Sequence, residues 1–403
     1  MKVVLLSYEL PPDTGFGGIG TYTWYQARAL ARLGHDVRVV AGALEPGITH
    51  GETDDGVRVT RVLDPGPLAG AVRGLAEDGL PWASNRLRTA AGAHRALRDL
   101  LERETADVVE YPECGADGLL VSTLSQVPTC VRLHSPARLI MESYGADGRD
   151  VEVTSFLEKV SIDQADVRTA PSSFLAAEAV ARMGVAPPVH VIPNGIDLDL
   201  FDRSEGVDVS ERYGLPASGA VTILFSSRLE RRKGAHLLPE ICAEILGRYP
   251  HVHVVLAGAD DGGAVAGSIL ARLGDEGMYE RVHPLGRVGL ADVRALLAYA
   301  DVYLLPTMWD NAPYSCIEAM AAGRAVLASD CGGMHELVAH ERSGLLARTG
   351  DVGSFVEGLA RLVEDPALRE RLGSAARRRV EAEFTDVAVA RQTVELWRRI
   401  LPV

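Results

Sequence analysis

Apolar residues in this chain fall into short blocks separated by polar and amphipathic stretches, and the blocks form two series. The run Lys2-Val3-Val4-Leu5-Leu6-Ser7 predicts a buried strand, followed by a helix over Ile19–Leu33 and a strand over Val37–Ala41. Further strand-like blocks occupy Val57–Val62, Val108–Glu110, Thr129–Leu133, Val167–Ala170 and Val189–Ile192, with amphipathic segments Asn85–Arg103 and Ser172–Met183 between them. Pro193-Asn194-Gly195 breaks the alternation, and a polar stretch runs from Asp197 to Ser218. A second series then begins at Val221–Ser226 and continues with His253–Ala257, Val282–Leu285, Val302–Leu305 and Ala325–Ala328. Continuous apolar blocks joined through helices are the pattern of a parallel sheet covered on both faces. Two such series predict an α/β protein of two doubly wound parallel-sheet domains, with strand C-terminal ends and glycine-rich loops facing a cleft between them.

The length of 403 residues supports this division, because single cores stop growing near 250 to 300 residues. An apolar content of 47% with 24% charged residues is that of an ordinary globular chain. No run of about 18 apolar residues appears and the N-terminus enters a strand directly, so a cytoplasmic protein without a transmembrane segment is expected, peripheral membrane contact being left open. The net charge of −14 argues against nucleic acid as a partner and against a diffuse basic face for anionic lipid. Five scattered cysteines, none in a Cys-x-x-Cys pair, indicate free thiols and neither a disulfide framework nor a metal site. Among 41 basic residues only Lys2, Lys159 and Lys233 are lysines, which makes a lysine in a meaningful place informative.

Three segments carry candidate chemistry. Gly15-x-Gly17-x-x-Gly20 has the spacing of a dinucleotide fingerprint, but seven residues separate it from the first strand and no carboxylate closes the second, so NAD binding is disfavoured. A glycine-rich segment opening a helix would still suit a phosphate. Ser226 to Gly234 ends a strand, supplies Arg228 and Lys233, and predicts a helix starting at or just after Gly234: an anion site, or else a solvated charge cluster. Asp310 lies in a loop before a helix and Glu318 one turn inside it, with free N–H groups expected near Pro313 to Cys316. Such carboxylates suit the vicinal hydroxyls of a sugar or ribose, a glycosidase pair, or merely a helix cap and a surface residue.

Taken in order, Gly17-Gly18-Ile19-Gly20, Gly34-His35-Asp36-Val37, Ile192 to Asp197, Arg228 with Lys233, Asp310 to Gly323, and Cys331 to Glu336 resemble glycosyltransferase family 4 over essentially the whole chain. The resemblance implies the GT-B fold, with an acceptor-binding domain over 1–194, a donor-binding domain over 195–383, and a helix over 384–403 returning to the first domain. It implies a retaining hexosyltransferase that moves a sugar from a nucleoside-diphosphate sugar, UDP first and GDP next, to a hydroxyl of a sugar or small-molecule acceptor, with no cofactor and no metal. By position it assigns catalysis to Arg228, Lys233, Asp310 and His134. Donor binding falls to Gly17, Gly18, Arg228, Lys233, Arg287, Val288, Asp310, Asn311, Ala312, Pro313, Tyr314 and Glu318. Within that set Arg228 and Lys233 match the diphosphate-binding cations, Glu318 the acid on the ribose, Asp310 the acid on the transferred sugar, and Arg287-Val288 the segment reading the base. The family has Glu followed by Phe-Gly where this chain has Asp310-Asn311-Ala312-Pro313, a shorter carboxylate and a proline without N–H. The acceptor loops, Asp64–Pro81 and Ser135–Arg149, carry no recognisable code, and the acidic balance favours a soluble acceptor over a lipid-linked one. A sugar-nucleotide epimerase or phosphorylase of the same fold, a sugar-nucleotide-binding protein that has lost catalysis, and an NAD oxidoreductase remain alternatives.

Overall fold

A computed structural model describes residues 1–15, 17–53, 55–63, 68–203, 206–216, 219–260, 263–273 and 276–401. The chain forms two compact units, Met1–Asp197 joined by Asp386–Val403, and Leu198–Thr385.

The first unit holds β1 (Lys2–Ser7), β2 (Asp36–Gly42), β3 (Gly47–Glu52), β4 (Arg58–Leu63), β5 (Val108–Pro112), β6 (Thr129–Arg132), β7 (Val167–Ala170) and β8 (His190–Val191) in the order β3-β4-β2-β1-β5-β6-β7-β8. All neighbours are parallel except the β3–β4 pair. β1 sits centrally and is buried from Val3 onward, which is why it reads as an unbroken apolar run. One face of the sheet packs Val3, Leu5, Val37 and Val39 against Val389, Val394 and the fully buried Trp397 of the C-terminal helix Asp386–Ile400. The other packs Val4, Leu6, Val109 and Val131 against Leu97 and Leu175.

The second unit holds β9 (Val221–Ser226), β10 (Val252–Ala257), β11 (Val282–Gly286), β12 (Val302–Leu305), β13 (Ala325–Ser329) and β14 (Leu345–Ala347), all parallel, in the order β11-β10-β9-β12-β13-β14. In each unit the strand order reverses beside the first strand, around β1 and around β9. The loops leaving those strands therefore border a switch point, where open α/β sheets bind ligands.

Several elements differ from the sequence reading. β3 is an edge strand with every residue exposed, and no apolar alternation announced it. The helix expected over Asn85–Arg103 spans Pro81–Leu101, because Pro81 occupies its first position and Asp150 accepts the N–H groups of Trp82 and Ala83 at 2.9 and 3.0 Å. The polar stretch after Asp197 contains two short helices, Leu198–Asp202 and Val209–Tyr213, the second capped by Asp208. All five cysteines are free. Among the described residues no helix is long and apolar enough to cross a membrane. Residues 64–67 of the first acceptor loop lie outside the described residues.

Candidate active site

In the second unit β9 and β12 are neighbours, with Val302 opposite Ile223, so the loops leaving their C-terminal ends meet. The α-helix expected from Gly234 starts instead at Leu238, after two 3-10 turns, Arg231–Lys233 and Ala235–Leu237. Gly234 separates the turns at φ +78°, and a Cβ there would lie 1.8 Å from the carbonyl oxygen of Pro306. That close approach fits Arg231–Lys233 against the β12 loop, where the Arg232 carbonyl accepts the Met308 N–H at 2.8 Å and the Thr307 hydroxyl at 3.1 Å.

The contact brings together residues far apart in sequence. Lys233 Nζ donates to Asp310 Oδ2 at 2.6 Å, with both side chains almost fully buried. Arg232 Nη1 lies 3.9 Å from the same oxygen and also pairs with Glu230 at 3.0 Å. Arg228 is the exposed cation of the group, 3.2 Å from Glu230. The Asp310 carbonyl accepts the Gly333 N–H at 3.1 Å, which ties in the Cys331–Gly333 loop. Asn311 and Ala312 are buried and precede Pro313, the N-cap of the helix Tyr314–Ala321. Of the N–H groups expected free there, that of Cys316 is taken by the Pro313 carbonyl at 3.1 Å, and that of Ala312 bonds Asn311 Oδ1 at 2.5 Å. Glu318 sits half-buried one turn into the helix, and burial pushes its carboxyl up to about 7 against the opposing pull of Arg294. Arg287 and Val288 follow β11, at the same end of the sheet.

In the first unit Gly17 and Gly18 open the helix Gly18–Arg32, with Gly17 as an N-cap lacking a side-chain bond. The glycine spacing has a local cause. A Cβ on Gly15 would lie 2.7 Å from Glu9 Cγ, one on Gly17 2.7 Å from Glu9 Oε2, and one on Gly20 3.2 Å from Glu9 Cβ. Gly15 and Gly17 make room for the Glu9 side chain, whereas a Cβ on Gly20 would first meet the Gly15 carbonyl oxygen at 2.9 Å; the Glu9 carboxylate lies 3.4 Å from the Gly20 nitrogen. The helix end read as a phosphate cradle therefore already carries a carboxylate. Sequence reasoning missed Glu9, although an acid directly after the first strand and before the glycines was the available signal.

His134 follows β6 and is buried, its ring edge-on to Tyr22 at 5.1 Å between centroids. Burial and the Arg132 guanidinium hold its pKa well below the ordinary histidine value, so the ring is neutral at pH 7. Tyr22 donates to Glu110 Oε1 at 2.9 Å and lies under the Arg132 guanidinium, 4.7 Å from the ring centroid. Arg132 in turn donates to the Ile192 carbonyl at 2.7 Å and to Asn194 Oδ1 at 2.9 Å. Of these polar residues only His134 and Asn194, the latter within the Ile192 to Asp197 segment, stood out in the sequence.

Comparison with known proteins agrees with this architecture. A model described as Glycosyltransferase Family 4 matches residues 16–200, and one described as Glycosyl transferases group 1 matches residues 212–379. The chain is 31% identical to D-inositol 3-phosphate glycosyltransferase 2 of Catenulispora acidiphila, over 99% of this chain and 95% of that one. It is 30% identical to the alpha-maltose-1-phosphate synthase of Mycolicibacterium smegmatis, over 99% of this chain and 100% of the relative. Its fold is similar to that of the sucrose-phosphate synthase of Thermosynechococcus elongatus, with a TM-score of 0.79, 22% identity and 99% coverage of both chains. Two parallel-sheet units with sugar-transfer relatives define a glycosyltransferase of the GT-B fold. The chain belongs to glycosyltransferase family 4.

Proposed function

We propose that this glycosyltransferase moves a hexose, with retention, from a nucleoside-diphosphate sugar to a hydroxyl of a small polyhydroxylated acceptor, in the cytoplasm and without a metal or other cofactor. The observation that carries this reading is the buried Lys233–Asp310 pair beside Arg232 and Arg228 at the end of β9. A cation that can move from a carboxylate to phosphate oxygens, next to a carboxylate that then becomes free to accept sugar hydroxyls, suits a donor carrying both groups. Lys233 and Arg228 hold the diphosphate and stabilise its charge as the glycosidic bond breaks. Asp310 accepts hydroxyls of the transferred sugar, with Asn311 to Tyr314 shaping its surroundings. Glu318 accepts ribose hydroxyls, and Arg287 with Val288 flanks the base. Gly17, Gly18 and His134 serve the sugar end of the donor from the first unit, which also supplies the acceptor site.

No carboxylate is assigned as a nucleophile, so the acceptor hydroxyl attacks from the face the diphosphate leaves, and the departing phosphate takes the proton. The names of the relatives, a D-inositol 3-phosphate glycosyltransferase and an alpha-maltose-1-phosphate synthase, support a phosphorylated polyol or sugar in the acceptor role. UDP is the first candidate nucleotide and GDP the second. Thermal shift with UDP, GDP, ADP and TDP, followed by turnover of the matching sugar nucleotides with inositol phosphate and hexose phosphates, tests the reading. A nucleotide at 100 times its dissociation constant stabilises the fold by about 2.7 kcal/mol. Activity persists in excess EDTA; a loss restored by Mg²⁺ or Mn²⁺ overturns metal independence, and no response to any nucleotide overturns the whole assignment.

A further inference from the structure

The segment that carries His134 is fastened in an unusual way. The N–H groups of His134 and Ser135 donate to the two oxygens of Glu113, at 2.8 and 2.7 Å. Pro136 has no N–H, and the N–H of Ala137 donates to Glu158 Oε2 at 2.7 Å. Every amide hydrogen of residues 134–137 therefore ends on a carboxylate. Glu113 comes from the loop after β5 and Glu158 from the helix Gly148–Gln164, and both are 0% exposed.

This is an expensive way to hold a loop. Backbone carbonyls or a neutral side chain satisfy amides without burying charge, whereas two carboxylates close together must be desolvated and repel each other. The Arg86 guanidinium answers them: its Nε lies 3.9 Å from Glu158 Oε1, and among the described residues neither of those two atoms has a hydrogen-bond partner. Burial and the neighbouring Glu158 push Glu113 up to about 8, and burial pushes Glu158 up to about 7. The two N–H groups on the oxygens of Glu113 oppose that rise, because they favour its ionised form. What the fork achieves is orientation. By gripping two successive peptide units it sets both planes, and with them the direction in which the His134 side chain leaves the backbone. A neutral amide offers one acceptor and cannot grip both.

We propose that Glu113, backed by Glu158, is a positioning residue for sugar transfer that acts through His134. This rests on the reading that His134 touches the transferred sugar. The test is a double-mutant cycle with Glu113→Gln, His134→Ala and the double variant, read as kcat for transfer or for donor hydrolysis, with nucleoside diphosphate affinity measured in parallel. A displacement of a reacting group by about 1 Å costs about 100-fold, so Glu113→Gln should lower kcat by 10- to 100-fold while diphosphate affinity, held in the second unit, stays unchanged. The double variant should be no slower than His134→Ala alone.

Losses that multiply show a merely structural role and overturn the proposal. So does a wild-type kcat in Glu113→Gln, or a wild-type kcat in His134→Ala. If Glu113→Gln does not fold, Glu158→Gln carries the same cycle, because it weakens the hold on Ala137 and Gly115 and the Arg86 pair while leaving the fork in place. Its expected loss is smaller and again absent in the His134→Ala background; an additive loss overturns the proposal. Failure of the underlying reading of His134 is seen separately, as a wild-type kcat in His134→Ala, and failure of the proposed activity as wild-type protein that neither transfers nor hydrolyses any sugar nucleotide.

Discussion

Asp310→Asn should tighten the binding of a bare nucleoside diphosphate while slowing transfer. In the free protein Lys233 donates to Asp310 at 2.6 Å, so the phosphate must displace that bond. A hydrogen bond between charged groups is worth about 1.5 to 3 kcal/mol and a neutral one about 0.5 to 1.5 kcal/mol. Substituting the amide leaves the Lys233 ammonium a neutral acceptor in place of a carboxylate and so removes competition on the order of 1 kcal/mol, which corresponds to about 5-fold tighter binding. Loss of a negative charge 3.9 Å from Arg232 acts in the same direction. In the proposed reading the Asp310 carboxylate accepts sugar hydroxyls, so kcat should fall by about 10- to 100-fold, the worth of one charge-assisted bond. The variant should also be less stable, by up to about 3 kcal/mol, because Lys233 is left largely buried without its counter-charge. UDP should therefore raise its melting temperature by more than it raises that of the wild type. Calorimetric titration with UDP, GDP and ADP reads the affinity, and single-turnover assays read the transfer. Equal or weaker diphosphate binding in Asp310→Asn would refute the idea that Lys233 is exchanged from carboxylate to phosphate.

Three further outcomes follow from other parts of the structure. Because the Glu318 carboxyl is pushed up to about 7, its ionised fraction grows between pH 6 and 8; nucleotide affinity should rise over that interval and level off above it, whereas Glu318→Gln should bind weakly with a flat profile. Gly234→Ala places a Cβ 1.8 Å from the Pro306 carbonyl oxygen at φ +78°, so thermal denaturation should show a loss of about 3 kcal/mol or more and kinetics a fall in kcat through displacement of Lys233. Arg32 binds both Asp197 and Asp386, each nearly fully buried, and Arg32→Ala should cost about 3 kcal/mol by urea denaturation at pH 7.5. In the folded wild type burial and the charge of Asp197 already push Asp386 up to about 6, so protonation relieves the stranded pair and the deficit should shrink at pH 5.

Much of the fold was legible because its parallel strands are buried on both faces. Blocks such as Val221–Ser226 and Val302–Leu305 stand out as apolar runs for that reason, and the structure places strands over those residues. What escaped was held together by distant contacts or had no apolar signature. β3 is stabilised by pairing with β4 and presents only exposed residues. β14 is three residues long. The start of the helix at Pro81 depends on Asp150, 68 residues away from Trp82.

The candidate site divides in the same way. Arg228, Lys233, Asp310 and Glu318 were identifiable from residue type and from their place after a strand. The Lys233–Asp310 pair was not, because it spans 77 residues and exists only since β9 and β12 are adjacent. Glu113 and Glu158 were invisible for another reason: the chain has 55 acidic residues, and nothing local marks these two as buried against backbone amides.

The glycine segment shows how far a spacing can be trusted. Gly15, Gly17 and Gly20 report that something lies where their Cβ atoms would be, but not what it is. In a dinucleotide fingerprint the occupant is a pyrophosphate, drawn by the helix N-terminus. Here the occupant at Gly15 and Gly17 is the Glu9 side chain, whose carboxylate meets the same end of the helix dipole, and at Gly20 it is first the Gly15 carbonyl oxygen. A second anion brought to that end would meet a like charge, whereas hydroxyl groups would find an acceptor. On the proposed reading this charge at the glycine loop favours the Arg228, Arg232 and Lys233 cluster after β9 for the diphosphate.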